Sequence, residues 1–416
     1  MNIIVFSSQL HDTQSVMAGR RKALEEYFDG QQLHLYSCGE DFPPQGETAC
    51  FIATGGTEEL FAGVWQKLPR PVMLLSDGYH NSFAAAKEIA SFLEQHGVEH
   101  RLVNLPLTDE DGAAQGTAGS RTNDATADGT AATDSADETT AAVSAAAAEL
   151  CPDPYAEPRV RQVLASARIG LIGGASSWLI ASGIDRGYVS QTYGAQFIDI
   201  PIAELEAAFR AEPAADPADT SPTYSREALQ EAERMYRALK SLCTKYALTA
   251  LTIKCFDLLD SCRTTSCLAL ARLSDEGIIS GCEGDIPALW TLLVAKALTG
   301  RAAFMANPSS SSAEAVTVDF AHCTVPLSMC SSYSLPSHFE SGIGIGIAGI
   351  IPDGPCNIIK IGGPRLDRIY CSRGTIVCNT HVAARCRTQI RFRFDSRAEF
   401  DRFMACRLGN HVVLCR

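Results

Sequence analysis

The feature that most constrains the fold is an alternation of short apolar runs with helix-period stretches, which continues until about Ala302. The apolar runs at 2–7, 50–54 and 71–76 are each followed by a turn and a helical pattern, and the segment 169–183 repeats this arrangement. Helical periodicity is clearest over 81–95, 225–245 and 286–298. Strands that alternate with helices are typical of parallel sheets covered by helices. The sequence therefore predicts two doubly wound α/β units of the Rossmann or flavodoxin-like kind.

From about Ala302 the chain changes to short apolar runs separated by Gly, Pro, Asp and Asn, among them AVTVDF, GIGIGIAGIIP and QIRFRF. Short runs with turn residues between them indicate antiparallel strands. We predict an N-terminal α/β domain at residues 1–107, a second α/β domain at 158–300 and a C-terminal β barrel or sandwich at 301–416.

An insertion at residues 108–157, rich in Ala, Thr, Asp, Gly and Ser, separates the two α/β units. This composition buries too little apolar surface to offset the entropy of ordering, so we predict a disordered acidic segment. The insertion supplies much of the formal net charge of −13, and the rest of the chain is only mildly acidic. The charge balance argues against nucleic acid and anionic membranes as partners.

The chain contains 16 cysteines but no pair of CxxC motifs. Cys262 and Cys267 lie close enough in sequence to resemble zinc ligands, although reduced, buried thiols explain them better. The start, MNIIVFSSQ, lacks the pattern of a signal peptide, and no apolar run approaches the roughly 18 residues of a membrane span. We therefore expect a cytoplasmic protein.

The stretch CEGDIPAL carries the strongest chemical signal, because Glu283 and Asp285 lie between an apolar run and a helix. Side chains that follow the strands of an α/β sheet commonly form its ligand site. Two carboxylates here can bind a hard divalent cation, or one of them can act as a base. Asp285 is better explained as the N-cap of the helix that starts at Ile286. Glu283 has no such structural role and is the prime functional candidate.

Three histidines are further candidates. His322 lies on the same face of the VTVDF strand as Phe320, so it is either a ligand or a core histidine bonded to the backbone. His338 lies in a Gly/Ser/Pro-rich loop, two residues before Glu340, and is a candidate for ligand contact. His411 lies in the late stretch GNHVVL, where it is either a ligand or an exposed tail residue.

The stretch ATGGTEE resembles a phosphate-binding loop, but it lacks the Lys-Ser/Thr of a P-loop and the full GxGxxG spacing. A glycine turn between a strand and a helix explains it better, with Thr57 as N-cap and Glu58 and Glu59 in the first helical turn. A nucleotide-dependent enzyme is therefore the weakest of the functional hypotheses.

In their order and spacing, the motifs CEGDIPAL, FMANPS, AHCTVP, SHFESG and GNHVV resemble the L-fucose isomerase/L-arabinose isomerase superfamily, specifically its shorter fucose-isomerase-like branch. The resemblance implies two doubly wound α/β domains, a C-terminal β domain and a homo-oligomer. It also implies interconversion of aldoses and ketoses with Mn²⁺ or a similar divalent ion. In that family, two acidic side chains and a histidine hold the metal, and a proton moves between C1 and C2 through a cis-enediol.

By position, Glu283 matches the first acidic ligand of that family, and His411 resembles its late metal histidine. His322 resembles the histidine of the arabinose-isomerase AHM motif. Asn307 stands where the family has its second acidic ligand. An amide coordinates a cation through its oxygen, but it is not a general base at neutral pH.

Three explanations of Asn307 stay open. Another carboxyl group, from Asp285, Asp319 or Glu340, supplies the second acid–base function. Alternatively, Glu283 works alone, or isomerase activity is lost.

The leading hypothesis is a metal-dependent ketol isomerase that acts on a monosaccharide or a sugar derivative, neutral or anionic. In this interpretation Glu283 and Asn307 are the catalytic positions, and together with His411 they hold the metal. The sugar contacts are His322, His338 and Asn307. The alternative is a noncatalytic sugar-binding or regulatory protein on the same scaffold.

Overall fold

The structure, a computed structural model, describes residues 1–8, 16, 17, 19–38, 46–106, 153–214, 216, 217 and 219–416. Most of the predicted insertion lies outside these residues. Its last part is ordered, because Pro154–Ala156 form a 3₁₀ turn in which the Tyr155 hydroxyl accepts a hydrogen bond of 3.0 Å from Trp290 Nε1.

The first parallel sheet has the strand order β2-β1-β3-β4-β5. Its strands are β1 (Asn2–Phe6), β2 (His34–Ser37), β3 (Thr48–Ile52), β4 (Val72–Ser76) and β5 (His100–Asn104). The helices of this region are α1 (Arg21–Tyr27), α2 (Glu58–Val64) and α3 (Ser82–Gln95). The apolar runs of the sequence become the buried strands β1, β3 and β4.

The second parallel sheet has the order β7-β6-β8-β9, so its first strand again lies between the second and the third. Its strands are β6 (Arg168–Ile172), β7 (Gln196–Ile200), β8 (Ala250–Ile253) and β9 (Ile279–Gly281). The accompanying helices are α4 (Pro158–Ala165), α5 (Arg186–Tyr193), α6 (Ile202–Ala211), α7 (Arg226–Tyr246), α8 (Asp257–Ser261), α9 (Cys267–Asp275) and α10 (Ile286–Thr299). Helix α10 is buried along most of its length, including Trp290, and packs against β14 and β17 of the C-terminal region.

The C-terminal region forms a closed barrel with the strand order β10-β11-β16-β15-β14-β17. Its strands are β10 (Phe304–Ser312), β11 (Thr317–His322), β14 (Gly354–Gly362), β15 (Arg368–Asn379), β16 (Thr388–Phe394) and β17 (Val412–Cys415). A separate pair is formed by β12 (Ser332–Ser334) and β13 (Ala348–Ile350), and helix α11 (Arg397–Ala405) follows β16. All barrel pairings are antiparallel, which confirms the predicted antiparallel β region.

One predicted β run is largely irregular. Of GIGIGIAGIIP, only Ala348–Ile350 is a strand. Gly342 and Gly344 have φ values of 67° and 62°, which interrupt an extended strand. A Cβ on Gly344 would lie 2.7 Å from Thr265 Cγ2, so this turn packs directly onto the segment before α9.

Within the described ranges, no helix combines the length and the apolar character needed to cross a bilayer.

Candidate metal centre

Three side chains that are far apart in sequence converge between the second sheet and the barrel. Glu283 follows β9, His322 ends β11, and His411 immediately precedes β17. One ligand atom of each lies within 4.8 Å of the other two. Glu283 Oε1 lies 3.3 Å from His322 Nε2, and Glu283 Oε2 lies 3.6 Å from His411 Nε2. This Glu/His/His group can hold a metal ion.

Glu283 is presented by a strained turn. Its φ is 61° and that of Gly284 is 63°, so two consecutive residues adopt the left-handed conformation. A Cβ on Gly284 would lie 2.8 Å from both the Gly174 carbonyl oxygen and the Ser176 amide nitrogen. Non-glycine residues keep such a conformation only where the surrounding structure enforces it, and they cluster at functional sites. The turn after β6 therefore packs closely against the backbone that presents Glu283.

His411 is oriented by Asp285. The Nδ1 atom of the imidazole lies 2.8 Å from Asp285 Oδ2, and both residues are 1% exposed. Asp285 Oδ1 meanwhile accepts a hydrogen bond of 2.8 Å from the Ala288 amide, which confirms the predicted N-cap of α10. One carboxylate thus caps a helix and also directs Nε2 of His411 towards Glu283. A carboxylate behind a ligating imidazole is a common arrangement in metal sites.

His322 is held in a corresponding way by a hydroxyl group. Its Nδ1 lies 3.0 Å from Thr324 Oγ1, and the residue is 3% exposed. The imidazole is therefore a core histidine, but its hydrogen bond is to a side chain, and its Nε2 faces Glu283 Oε1. The rings of His322 and His411 lie 5.5 Å apart between centroids.

The polar atoms left unsatisfied here fit a cation. Nε2 of His322, Nε2 of His411 and Oδ1 of Asn307 are buried and make no hydrogen bond with any described residue. The two Nε2 atoms have only the ion-pair contacts with Glu283, and Oδ1 of Asn307 has no hydrogen bond. A buried polar atom that lacks a hydrogen bond costs about 1–3 kcal/mol, and a cation bound by these atoms would offset that cost. Register explains why Asn307 is near, since Ala306 pairs with Val412 and the adjacent residues Asn307 and His411 come side by side. Two imidazoles, a carboxylate and an amide oxygen suit a divalent transition ion.

The charges at the centre are complementary. Burial alone would raise the pKa of Glu283, but the charges of His411 and His322 hold it well below its usual range. Burial alone would lower the pKa of His411, but Glu283 and Asp285 raise it to about 9. An anionic carboxylate between two imidazoles is a site that favours positive charge.

The centre forms one wall of a cavity of about 400 Å³. Loops after the carboxyl ends of strands in both sheets contribute to it, as expected for α/β proteins. The barrel region completes it. The lining residues are Ser8, Gly55, Gly56, Glu58, Glu59, Leu60, Asn81, Ala84, Ala85, Trp178, Phe256, Glu283, Asn307, Glu340 and Asn410.

Three further carboxyl groups, from Glu58, Glu59 and Glu340, line this cavity. Two of them, Glu58 and Glu340, have an environment unlike that of Glu283. Glu58 is 2% exposed, and its Oε2 is buried with no hydrogen-bond partner among the described residues. Burial raises the pKa of Glu58 to about 8. Glu340 is half-buried, and its Oε1 accepts a hydrogen bond of 2.6 Å from Asn81 Nδ2. Burial also raises the pKa of Glu340, to about 7, despite the opposing effect of His338.

The predicted site residues are placed as follows. The structure brings Glu283, His322 and His411 together, with Asn307 on the same cavity wall. His338 is not among the described residues that line the cavity, and its Nδ1 lies 3.0 Å from Ser341 Oγ. Its neighbour Glu340 occupies the lining position instead. Cys262 and Cys267 are buried free thiols, as predicted.

Sequence reasoning missed several lining residues. Glu58 was assigned to a helical first turn, and helix α2 does begin there, but its carboxyl group also reaches the cavity. Thr57 precedes α2 without a side-chain capping bond, since its hydroxyl donates to the Thr54 carbonyl over 2.9 Å. Asn81 precedes α3 but bonds to Glu340 instead of capping its helix. The sequence indicated that Glu58 and Asn81 line the cavity only through their position, since each is a polar residue that follows a strand.

Comparison with protein-family models found no family that matches the chain, and comparison with curated proteins found no match either.

Proposed function

We propose that the protein is a metal-dependent ketol isomerase that interconverts an aldose and a ketose of a monosaccharide through a cis-enediol. The observation that carries the proposal is the convergence of the His322 and His411 Nε2 atoms on the Glu283 carboxylate, at the wall of a cavity that Asn307 also lines. The cavity volume of about 400 Å³ falls in the range of roughly 300–1,000 Å³ that is typical of small-molecule sites. The expected ion is Mn²⁺.

The cavity wall is amphipathic, which suits a sugar. The rings of Trp178 and Phe256 lie 5.7 Å apart at a right-angled tilt and offer apolar surface to C–H groups. The amide of Asn410 and the carboxyl group of Glu58 offer partners for hydroxyl groups. A divalent cation supplies Lewis acidity, which polarises a carbonyl and acidifies the neighbouring C–H and O–H groups.

Asn307 changes the charge of the site. Its oxygen is neutral, so a divalent cation held by Glu283, His322, His411 and Asn307 keeps one more positive charge than it would beside a second carboxylate. That excess charge strengthens the electron withdrawal on which enediol formation depends. The same amide cannot move a proton, so proton transfer needs another group.

The cavity favours a neutral sugar. Among the described lining residues there are four Glu side chains and no Lys or Arg, so an anionic substrate would lack a basic partner. Two of these residues, Glu58 and Glu59, line the cavity next to Gly55 and Gly56 of the turn that resembles a phosphate-binding loop, which argues against a nucleotide. The proposal also includes doubly wound domains around the two parallel sheets, a homo-oligomer, and a cytoplasmic location, which the free thiols of the described cysteines support.

The test is a panel of aldoses and ketoses incubated with protein and Mn²⁺ in D₂O, followed for conversion and for deuterium at C2. We expect deuterium incorporation without any redox cofactor, and loss of both signals in Glu283→Gln. Glu314→Gln, which changes an exposed residue in the β10–β11 turn, is the matched control.

Asn307 favours a second candidate, a noncatalytic sugar-binding protein, because its amide cannot act as a general base. That reading is correct if sugar binds with unchanged affinity in Glu283→Gln and no sugar of the panel incorporates deuterium. Binding of Mn²⁺, Fe²⁺, Co²⁺ and Zn²⁺ to the same samples, measured by calorimetry, identifies the preferred ion.

A further inference from the structure

If the protein is an isomerase, Asn307 leaves open which group carries the proton between the sugar carbons. Asp285 is excluded because its two oxygens are engaged by Ala288 N and His411 Nδ1. Asp319 is excluded because Arg391 bonds both of its oxygens, at 2.7 and 3.1 Å, and Arg385 bonds Oδ2 at 2.9 Å. Glu283 is the carboxylate of the metal centre, and a carboxylate that binds a cation is a weakened base.

Glu340 has the geometry that these residues lack. It lines the cavity together with Glu283 and Asn307. Only one of its oxygens, Oε1, is held by Asn81, and within the described chain no hydrogen bond engages Oε2. A carboxyl group with one oxygen fixed and one oxygen available is arranged for proton exchange with a bound molecule.

The backbone that carries Asn81, the hydrogen-bond partner of Glu340, is held in place from two sides. His80 and Asn81 have φ values of 49° and 58°, so two consecutive non-glycine residues are left-handed. The His80 amide donates to the Ala384 carbonyl over 2.9 Å, and the His80 carbonyl accepts from Gly55 N over 2.8 Å. A Cβ on Gly55 would lie 3.0 Å from Asn81 Cβ, so the turn after β3 presses against this loop.

The loop that carries Glu340 docks on the same segment. The ring of Phe339 lies 5.6 Å from that of His80, between centroids, next to the Asn81–Glu340 bond. Two adjacent side chains of the barrel region therefore contact two adjacent residues of the first sheet region. Strain of this kind persists where a precise side-chain position is maintained. The position maintained here is that of the Glu340 carboxyl group.

We propose that Glu340 is the second catalytic residue, the acid–base group that moves the proton between C2 and C1 of the sugar, and that Asn81 is its positioning residue. This inference rests on the proposed isomerase function. Glu340, in a loop of the barrel region, and Asn81, in the first sheet region, together perform the proton transfer that Asn307 cannot perform.

The step balances without a co-reactant. The Glu340 carboxylate takes the C2 proton of the aldose, the C–H electron pair becomes the C1–C2 double bond, and the carbonyl pair moves to O1, which takes up a proton. As C2=O forms, O2 releases its proton, and the double-bond pair takes the proton from Glu340 at C1. The proton lost by O2 balances the one gained by O1, and Glu340 returns to its carboxylate form.

The experiment compares Glu340→Gln with the wild type and with Glu314→Gln, using calorimetric Mn²⁺ titration, kcat, KM and deuterium incorporation at C2. We expect Glu340→Gln to keep the Kd for Mn²⁺ and the KM within about twofold, and to lose at least about 100-fold in kcat and in deuterium incorporation. Asn81→Gly tests the positioning role, because glycine tolerates the left-handed backbone but removes the amide. We expect kcat to fall about tenfold with unchanged KM and Mn²⁺ affinity.

Each other outcome is decisive. Three results would show that Glu340 is not the acid–base group, while the isomerase function stands. Glu340→Gln could retain kcat within threefold, or it could lose Mn²⁺ binding together with activity. The third such result is a loss of deuterium incorporation in Glu58→Gln but not in Glu340→Gln. If the wild type incorporates no deuterium from any sugar, both proposals fall. The Mn²⁺ titration separates these cases, because it reports on the metal centre without turnover.

Discussion

The two sides of the cavity hold the same residue type in opposite protonation environments. Glu283 lies between two imidazoles, whose charges hold its pKa below the usual range against the effect of burial. Glu58 and Glu340 lie on the side of the first sheet, where burial raises the pKa values to about 8 and about 7. When the pKa values of two titratable groups in one site are shifted in opposite directions, the two groups have different chemical roles. This difference supports the proposed roles, in which Glu283 binds the cation and Glu340 exchanges the proton.

The two sides also differ in how they are held. On the cation side, a side chain at Nδ1 holds each imidazole in place. Asp285 holds His411, and Thr324 holds His322. On the acid side, Asn81 fixes one oxygen of Glu340, and Glu58 Oε2 has no partner among the described residues. Fixed ligands suit a bound ion, and a less constrained carboxyl group suits a proton that must move.

The strongest predicted loss of stability comes from a change in the backbone of the cation side. Gly284→Ala would combine a left-handed backbone with a Cβ 2.8 Å from the backbone of Gly174 and Ser176, so we expect the free energy of unfolding to fall by about 4 kcal/mol. Gly174→Ala is the matched control, because its φ is also positive but no atom lies within 4 Å of the added Cβ. Urea unfolding that gives equal losses of about 1 kcal/mol for both variants would contradict this account.

The next prediction concerns the acid side, where the charge of Glu58 makes the stability of the protein depend on pH. The pKa of Glu58 is raised to about 8, so its protonated form is favoured on folding, and the resulting stability is present below its ordinary pKa and lost as pH rises towards 8. Glu58→Gln removes this loss. We expect its stability relative to the wild type to increase by on the order of 3 kcal/mol between pH 5 and pH 8.

Urea unfolding at pH 5, 6, 7 and 8 with a chelator present measures this difference. Glu59→Gln, which changes the exposed neighbouring residue, should follow the wild type at every pH. A constant offset between Glu58→Gln and the wild type from pH 5 to pH 8 would show that burial does not govern this carboxyl group.

A smaller effect separates the two roles of Asp285. Asparagine is as good an N-cap as aspartate, so Asp285→Asn should leave α10 intact while it removes the charge behind His411. We expect Mn²⁺ affinity to fall about tenfold with little change in melting temperature. Asp185→Asn, at the N-cap of α5, changes a cap without an imidazole and should leave Mn²⁺ affinity unchanged. A large loss of stability in Asp285→Asn would mean that the cap dominates.

The smallest effect concerns the neutral partner on the cation side. Thr324→Val removes the hydroxyl that lies 3.0 Å from His322 Nδ1 and keeps the shape of the side chain. We expect a loss of Mn²⁺ affinity of about threefold, smaller than for Asp285→Asn because a neutral hydrogen bond is weaker than a charged one. A loss equal to that of Asp285→Asn would remove the distinction between the two imidazoles.

Local patterns predicted the elements that carry the cation side. The predicted helix at 286–298 is Ile286–Thr299 in the structure, and its cap was identified from Asp285 alone. Glu283 was identified because a carboxylate after an apolar run and before a helix had no local explanation. These inferences depend on neighbours within a few residues, which a sequence displays directly.

The acid side depends on contacts that no local pattern contains. Asn81 and Glu340 are 259 positions apart, and their bond exists only because a barrel loop docks on the first sheet region. Strand β10, which presents Asn307, was not predicted as a strand, since FMANPSSSS contains a proline and a polar run. The structure accommodates Pro308 next to a shift of register in the pairing with β11.

The position of His411 directly before β17 has a mechanical consequence. Strand β17 pairs with β10 on one side and β14 on the other, so it is the strand that closes the barrel. The seam of the barrel cannot open without pulling the His411 imidazole away from Glu283 and Asp285. A cation bound by Glu283 and His411 would therefore couple its own binding to closure of the barrel, because it would link the last strand to the second sheet.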